Sequence, residues 1–440
     1  MEPSDNEQAE LKFSWHNRPS MGEVINVSQT TVTPPQTSAS TFPVWVVILA
    51  AGTVVGMAMG LRQVMGLYLR PMTTDLGIGR EPFSDAMAIA NLIWGLGAIV
   101  TGAIADRKGA GRVIAGCAIA TATGLYLMYA ARDGWELYIS GVLLGLGVAG
   151  TGVTALVGAV GRAAPADKRT AAIASLGMAG GIGQLIALPY THVLIEWLGW
   201  KSSLLVLSAT ALLMIPLAYP IAGKPRVVDT GVKPQTLVEA FSEAFAHPSF
   251  WLLTVGFFVC GFHVAFYGVH LPAFVADKGL EPWVGVAAIM MVGVANIVGT
   301  YAAGRSTKFV ERRVGLSFIY FARVFIFLGL LFIPITPATI IFISTLLGFF
   351  WLSTVPLTSS LVAIFFGTSW MSMLFGFVFL SHQLGSFAGL KLAGMLYDST
   401  KSYDTMWWIS IALGLFAAFI HWPIKERPVA RLKPVPAVTA

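Results

Sequence analysis

Twelve apolar stretches, each about 20 residues long, run from Val44 to Pro423, and they constrain the fold more than any other feature. A bilayer core about 30 Å thick takes about 20 apolar residues per helical crossing. Lipid offers no hydrogen-bond partners, so each crossing must satisfy its own backbone, as a helix does. Only 11% of the 440 residues are charged, against about 25% in a soluble domain. The expected fold class is an all-α integral membrane protein, with 12 transmembrane helices in two six-helix, pseudo-symmetric bundles.

The spans read as 44–68, 83–104, 112–131, 136–160, 170–195 and 202–222, then 250–272, 283–304, 315–333, 338–365, 370–393 and 404–423. The polar stretch 223–248 reads as a cytoplasmic linker with a short surface helix over 237–245. The expected organisation is a disordered cytoplasmic N-tail (1–42), an N-terminal bundle (43–222), the linker (223–248), a C-terminal bundle (249–423) and a cytoplasmic C-tail (424–440). No cleavable signal peptide is apparent. With the N-terminus inside, 19 of the 28 Lys and Arg residues fall in cytoplasmic segments and six in outer loops. The positive-inside rule then puts both termini in the cytoplasm. Basic loops account for the net charge of +6 without a nucleic-acid partner. Cys117 and Cys260, both inside apolar stretches, read as free buried thiols.

The halves repeat each other. A shift of 201 residues lays Gly60-Leu61-Arg62 on Gly261-Phe262-His263 and Pro71 on Pro272. A shift of 205 lays Asn91 on Asn296 and Asp106-Arg107-Lys108 on Glu311-Arg312-Arg313. Trp200 meets Tyr403 at 203. Parallel halves of six spans with a site near mid-membrane describe one transporter architecture.

Between spans two and three, Gly102, Asp106, Arg107, Gly109 and Arg112 match the cytoplasmic loop signature of the major facilitator superfamily. Glu311-Arg312-Arg313 resembles its degenerate second copy, without the glycines. Within that superfamily the chain resembles the bacterial branch near monocarboxylate porters and oxalate–formate antiporters. The supporting stretches are Gly60-Leu61-Arg62-Gln63, Cys260-Gly261-Phe262-His263 and Ser381-His382-Gln383-Leu384-Gly385-Ser386. Animal members of that group carry an arginine in span eight; here span eight (283–304) has Asn296 and no arginine until its cytoplasmic end. The resemblance implies a conformational gate at Gly102, Asp106, Arg107, Gly109, Arg112, Glu311 and Arg312, latching the halves on the cytoplasmic side. It also implies that spans three, six, nine and twelve lie peripherally.

Arg62, in the outer half of span one, is the most informative intramembrane charge. Such a charge is costly and normally faces a cavity or a partner. A guanidinium can take a carboxylate through two parallel hydrogen bonds; snorkelling, or an ion pair with Asp75 or Asp85, is the alternative. His263, at the repeat-equivalent position in span seven, and His382 in span eleven could carry protons. His270 lies two turns beyond His263. Gln383, Asn91, Asn296, Trp94 and Trp351 complete the candidate substrate-binding set, with helix bridging or packing as the plainer reading of each. Arg323 is expected to snorkel or pair at the cytoplasmic side, and Lys391 to snorkel outward. Pro356 is expected to disturb span ten.

No nucleotide-binding loop, zinc motif or nucleophile–base arrangement is present, so neither an enzyme, a cofactor nor a metal is expected. The sequence points to a secondary transporter of a small organic anion, monocarboxylate-like, working by alternating access. It would act as a monomer in a bacterial inner membrane, with the proton as coupling ion. The competing reading is an exporter of drugs, siderophores or metal complexes, whose aromatic cavity would use Trp94, Phe262, Phe266, Tyr267 and Trp351.

Overall fold

The computed structural model describes residues 42–164, 169–222, 236–367 and 370–429. The expected N-tail, most of the linker (223–235) and the end of the C-tail therefore lie outside the described residues. Among the described residues there are helices and no strands. Span one comprises α1 (Val44–Gln63), a 3-10 turn (Val64–Tyr68) and α2 (Leu69–Asp75). Spans two and three are α3 (Arg80–Lys108) and α4 (Ala110–Ala130). Span four is split into α5 (Gly134–Thr151) and α6 (Val153–Ala163). Then come α7 (Arg169–Leu212) and the short α8 (Met214–Leu217). A surface helix, α9 (Leu237–Phe245), stands where the sequence placed one. The second half holds α10 (Pro248–Asp277), α11 (Pro282–Ser306), α12 (Arg312–Phe332), α13 (Pro337–Phe349), α14 (Thr354–Phe366), α15 (Met371–Thr400) and α16 (Asp404–His421).

Among the described residues, eleven helical segments are long and apolar enough to cross a bilayer. One of them, Ser175–Leu217, has 43 residues, about 65 Å at 1.5 Å per residue and twice what one crossing needs. Gly199 breaks it with φ 77° and ψ 163°, a backbone that glycine adopts without a Cβ clash. Spans five and six thus meet at Gly199, giving the two six-helix bundles.

Small residues set how closely the helices approach. On α1, Gly52, Gly56 and Gly60 face Ala179, Gly183 and Ala187 of α7; a side chain at Gly183 would overlap the Gly56 carbonyl. The second half repeats this contact between α10 and α15, where side chains at Gly261 and Gly385 would overlap the carbonyls of His382 and Phe258. The first contact carries Arg62 two residues beyond Gly60, and the second fixes the height of His382 and Gln383.

Spans four and ten break at equivalent points. Gly152 is extended (φ −75°, ψ 175°) between α5 and α6, and Phe350–Ser353 separates α13 from α14. Pro356 explains the second break: its ring would clash with the carbonyl of Leu352, four residues back, so it sits in the first turn of a new helix. A break inside a membrane frees backbone groups that need partners. Arg323 supplies them by donating Nη2 to the carbonyls of Phe350 and Trp351, both at 2.6 Å. Asn296 Oδ1 accepts the Leu352 N–H at 2.9 Å. Arg323 therefore does not snorkel or pair at the cytoplasmic side: it is 1% exposed and braces the interior of the second bundle.

Asn296→Ala should accordingly lower thermal stability by about 1–3 kcal/mol, the cost of an orphaned backbone donor. Thermal unfolding in detergent checks this. An unchanged melting profile with impaired transport would instead return Asn296 to the substrate-binding set.

Candidate central site and the closed end

Between the halves lies a small cavity. Its first-half wall includes Arg62, Gln63, Met87, Asn91 and Trp94, and Val264, Ala265 and Gly268 close it from α10. Arg62 donates Nη2 to Asn91 Oδ1 at 3.2 Å, and its guanidinium carbon lies 5.0 Å from the Trp94 ring centre. Asn91 in turn donates Nδ2 to the Met87 carbonyl at 2.8 Å, which aims its oxygen at Arg62. Asp75 and Asp85 do not pair with Arg62, because Lys391 takes Asp85 at 2.9 Å. Among the described residues no carboxylate pairs with Arg62. Trp94 Nε1 is buried and also lacks an acceptor among them. The cavity wall thus carries a cation with no carboxylate partner, and a tryptophan whose indole N–H has no acceptor, among the described residues.

Two further candidates join this group from α15. Gln383 donates Nε2 to the Asn91 carbonyl at 2.9 Å, and its oxygen faces His382 Nδ1 at 2.9 Å. A carbonyl oxygen only accepts, so His382 carries its hydrogen on Nδ1 in this arrangement. The His382 ring stacks on Phe379 at 5.5 Å. Asn91 therefore links the bundles: its side-chain oxygen takes Arg62, and its main-chain carbonyl takes Gln383, which in turn meets His382.

The other candidates stand apart. Trp351 backs the cavity wall, its ring 3.8 Å from where a Gly268 side chain would begin. Asn296 is committed to the break in span ten. His263 turns away from the cavity: its Nε2 lies 2.9 Å from the Ser410 carbonyl and its ring packs on Phe327. Phe266 and Tyr267 pack against Trp407 inside the second bundle. Of the five aromatics proposed for an exporter cavity, only Trp94 lines this one.

At the signature loop, Gly109 (φ 92°) turns the chain from α3 into α4, while a side chain at Gly102 would meet open space. The side chains of Asp106 and Arg107 lie outside what is described, and Arg112 is exposed. Glu311 pairs with Arg313 at 2.6 Å. Arg312 pairs with Glu426 at 3.2 Å and donates to Ser360 at 3.1 Å. Glu311, Arg313 and Ser360 belong to the second bundle, and Glu426 to the C-tail that follows it. Among the described residues no ion pair joins the halves at the Arg312 end.

At the opposite end the halves are tied together, chiefly by Arg80, Asp277 and Asp398, which belong to no motif in the sequence. Arg80, buried at the start of α3, donates to Asp277 and to the Tyr403 hydroxyl, each at 2.7 Å, and stacks 3.7 Å over Tyr397. Asp398 of α15 accepts the backbone N–H groups of Arg80 and Glu81 at 2.8 and 2.7 Å. It caps α3 from across the interface, where charge-assisted bonds and the helix dipole act together. Lys391 pairs with Asp85 rather than snorkelling outward. His270 Nδ1 faces the Tyr403 hydroxyl at 2.9 Å, and its Nε2 faces Ser84 Oγ at 3.2 Å. Burial raises the Tyr403 phenol above its ordinary range, so it keeps its proton. A signal was present: α3 starts at Gly79-Arg80 with no Ser, Thr, Asp or Asn to cap it locally. Its first amides need a partner from elsewhere.

Comparison with known proteins agrees with this architecture. The chain is 28% identical over 355 residues to Monocarboxylate transporter 12 of Xenopus laevis, covering 71% of this chain and 75% of that one. It is 25% identical over 395 residues to Monocarboxylate transporter 11 of Mus musculus, covering 86% of each. A bacterial homolog of the human lysosomal transporter Spinster, solved inward-facing and unoccupied, superposes with a TM-score of 0.69 at 16% identity, covering 88% of this chain and 98% of that one. The sequence profile of the Major Facilitator Superfamily matches residues 44–390. Twelve spans in two bundles, a cavity between them and this match together establish that the chain is a transporter and belongs to the Major Facilitator Superfamily.

Proposed function

We propose that the protein carries a small organic anion of the monocarboxylate class across a bacterial inner membrane, by alternating access and coupled to protons. The observation that carries this reading is Arg62: a cation at the boundary of the bundles, beside an acceptor-free indole N–H and with no carboxylate pairing with it among the described residues. An incoming carboxylate would supply the counter-ion that Arg62 lacks. The printed names of the two relatives support the same substrate class. With the termini in the cytoplasm, the Arg80 end faces outward and is shut. His382, which meets Gln383 beside Asn91, is the candidate proton carrier on the second-bundle side. His263 and Asn296 have no part in this reading.

The test is uptake into proteoliposomes under an inward proton gradient, with a panel of radiolabelled mono- and dicarboxylates. The expected result is saturable uptake of a monocarboxylate that collapses when the gradient is dissipated. Uptake of no acid by correctly inserted protein would remove this substrate class.

A further inference from the structure

We propose that His270 is a proton-binding site that controls the Arg80 end: the closed end requires a neutral imidazole, and protonation from that side holds the bundles apart. This rests on the alternating-access reading above and adds the group through which acid acts on the outer gate.

The argument is a count of hydrogens. A guanidinium has only donors to offer, so Arg80 Nη1 occupies the Tyr403 oxygen as donor. The hydroxyl's own hydrogen must then go elsewhere, and His270 Nδ1 at 2.9 Å is its acceptor among the described residues. Nδ1 must therefore be bare, and in a neutral ring the hydrogen sits on Nε2, facing Ser84 Oγ. Ser84 can accept it, because its own hydrogen goes to the Arg80 carbonyl at 2.7 Å. The circuit Arg80 to Tyr403 to His270 to Ser84 and back to Arg80 closes with every hydrogen placed.

An added proton on Nδ1 would set two hydrogens against each other on the Tyr403–His270 line. It would also put a second cation beside Arg80 in a site where His270 is 1% exposed. The surrounding charges offer no compensation, since they are committed to one another. Arg70 of α2 and Arg80 of α3 share Asp277 of α10, Asp398 of α15 caps α3, and Lys391 of α15 holds Asp85 and Glu81. The remaining titratable groups are Tyr403 itself and Tyr397, which lies under Arg80. Ser84 and Arg80 belong to the first bundle, and His270 and Tyr403 to the second. The circuit exists only while the halves meet, and separation returns His270 to water, where imidazole titrates near pH 6.5.

The sign follows: protons bind the separated state, so acid favours separation. If the closed state takes no proton on His270, the ratio of open to closed rises about 30-fold between about pH 8 and pH 5. Spin labels on Thr74→Cys and Ser399→Cys, exposed positions on opposite bundles, would read that ratio in the full chain in nanodiscs by electron–electron distance measurement. His270→Asn keeps an acceptor for Tyr403 but cannot be charged, and should flatten the response. Tyr403→Phe removes the hydrogen that forbids a proton on Nδ1, and should shrink it if the asparagine variant does not fold. The proposal is overturned if acid leaves the distances unchanged while Asp398→Ala separates the end, or if either variant keeps the full response. If neither acid nor Asp398→Ala ever separates it, alternating access at this end fails first.

Discussion

Arg62→Gln should reduce uptake at sub-saturating substrate about 100-fold, equivalent to about 2.8 kcal/mol of lost binding in the translocation step. The guanidinium is held at 3.2 Å from Asn91 and over Trp94, so its fork is already oriented when an anion arrives. Glutamine is shorter and has neither the charge nor the second parallel N–H. Arg62→Lys separates the two contributions: it restores the charge as a point without the fork, and should fall between glutamine and wild type. Stability should move differently. A cation desolvated without a counter-ion weakens the fold, so its removal should leave thermal stability unchanged or slightly higher. A parallel loss of stability and uptake would mean that Arg62 is a brace between α1 and α3 and that the anion binds elsewhere.

How much of this could be read from the chain depends on the range of the interaction. The spans follow from local composition, and even Gly199 lies between two of them. Pro356 announces the break in span ten because its clash is with its own chain. What satisfies that break is not local. Arg323 and Asn296 come from α12 and α11, and nothing in their own sequence neighbourhood tells a brace from a ligand. The internal repeat misled at this point. Asn91 and Asn296 are equivalent in position, but one holds Arg62 and the other the Leu352 amide. The repeat likewise points to His263, the partner of Arg62, and not to His270. Two turns apart on one face of α10, the two histidines meet different neighbours, Ser410 and Phe327 for the first, Tyr403 and Ser84 for the second. The cytoplasmic signature drew attention to one end of the molecule. The contacts that close the other end are pairs between helices some 200–320 residues apart in sequence, and only the folded arrangement makes them visible.

Asp398→Ala should shift the equilibrium at the Arg80 end toward separation by about 100-fold, from the loss of two charge-assisted caps worth about 3 kcal/mol together after partial replacement by water. Both amides lie on α3 of the first bundle and the carboxylate on α15 of the second, so the bonds stabilise the closed arrangement and contribute nothing once the halves part. A ligand or mutation moves such an equilibrium only by the difference it makes between the two states. Here the whole of the lost energy is differential. Asp398→Asn keeps one acceptor oxygen without its charge and should give a smaller shift. Gly79 supplies an independent arm: a side chain there would overlap the Asp398 carboxylate, so Gly79→Val should open the same end while leaving every charge in place. Distances between labels on α2 and α15 report the opening, and thermal unfolding reports the fold. Separation with an unchanged melting profile is the signature of a gate. If Asp398→Ala melts early and the labels stay together until it does, Asp398 is a structural cap for α3, and closure at this end rests on Arg80 with Asp277 and Tyr403 alone.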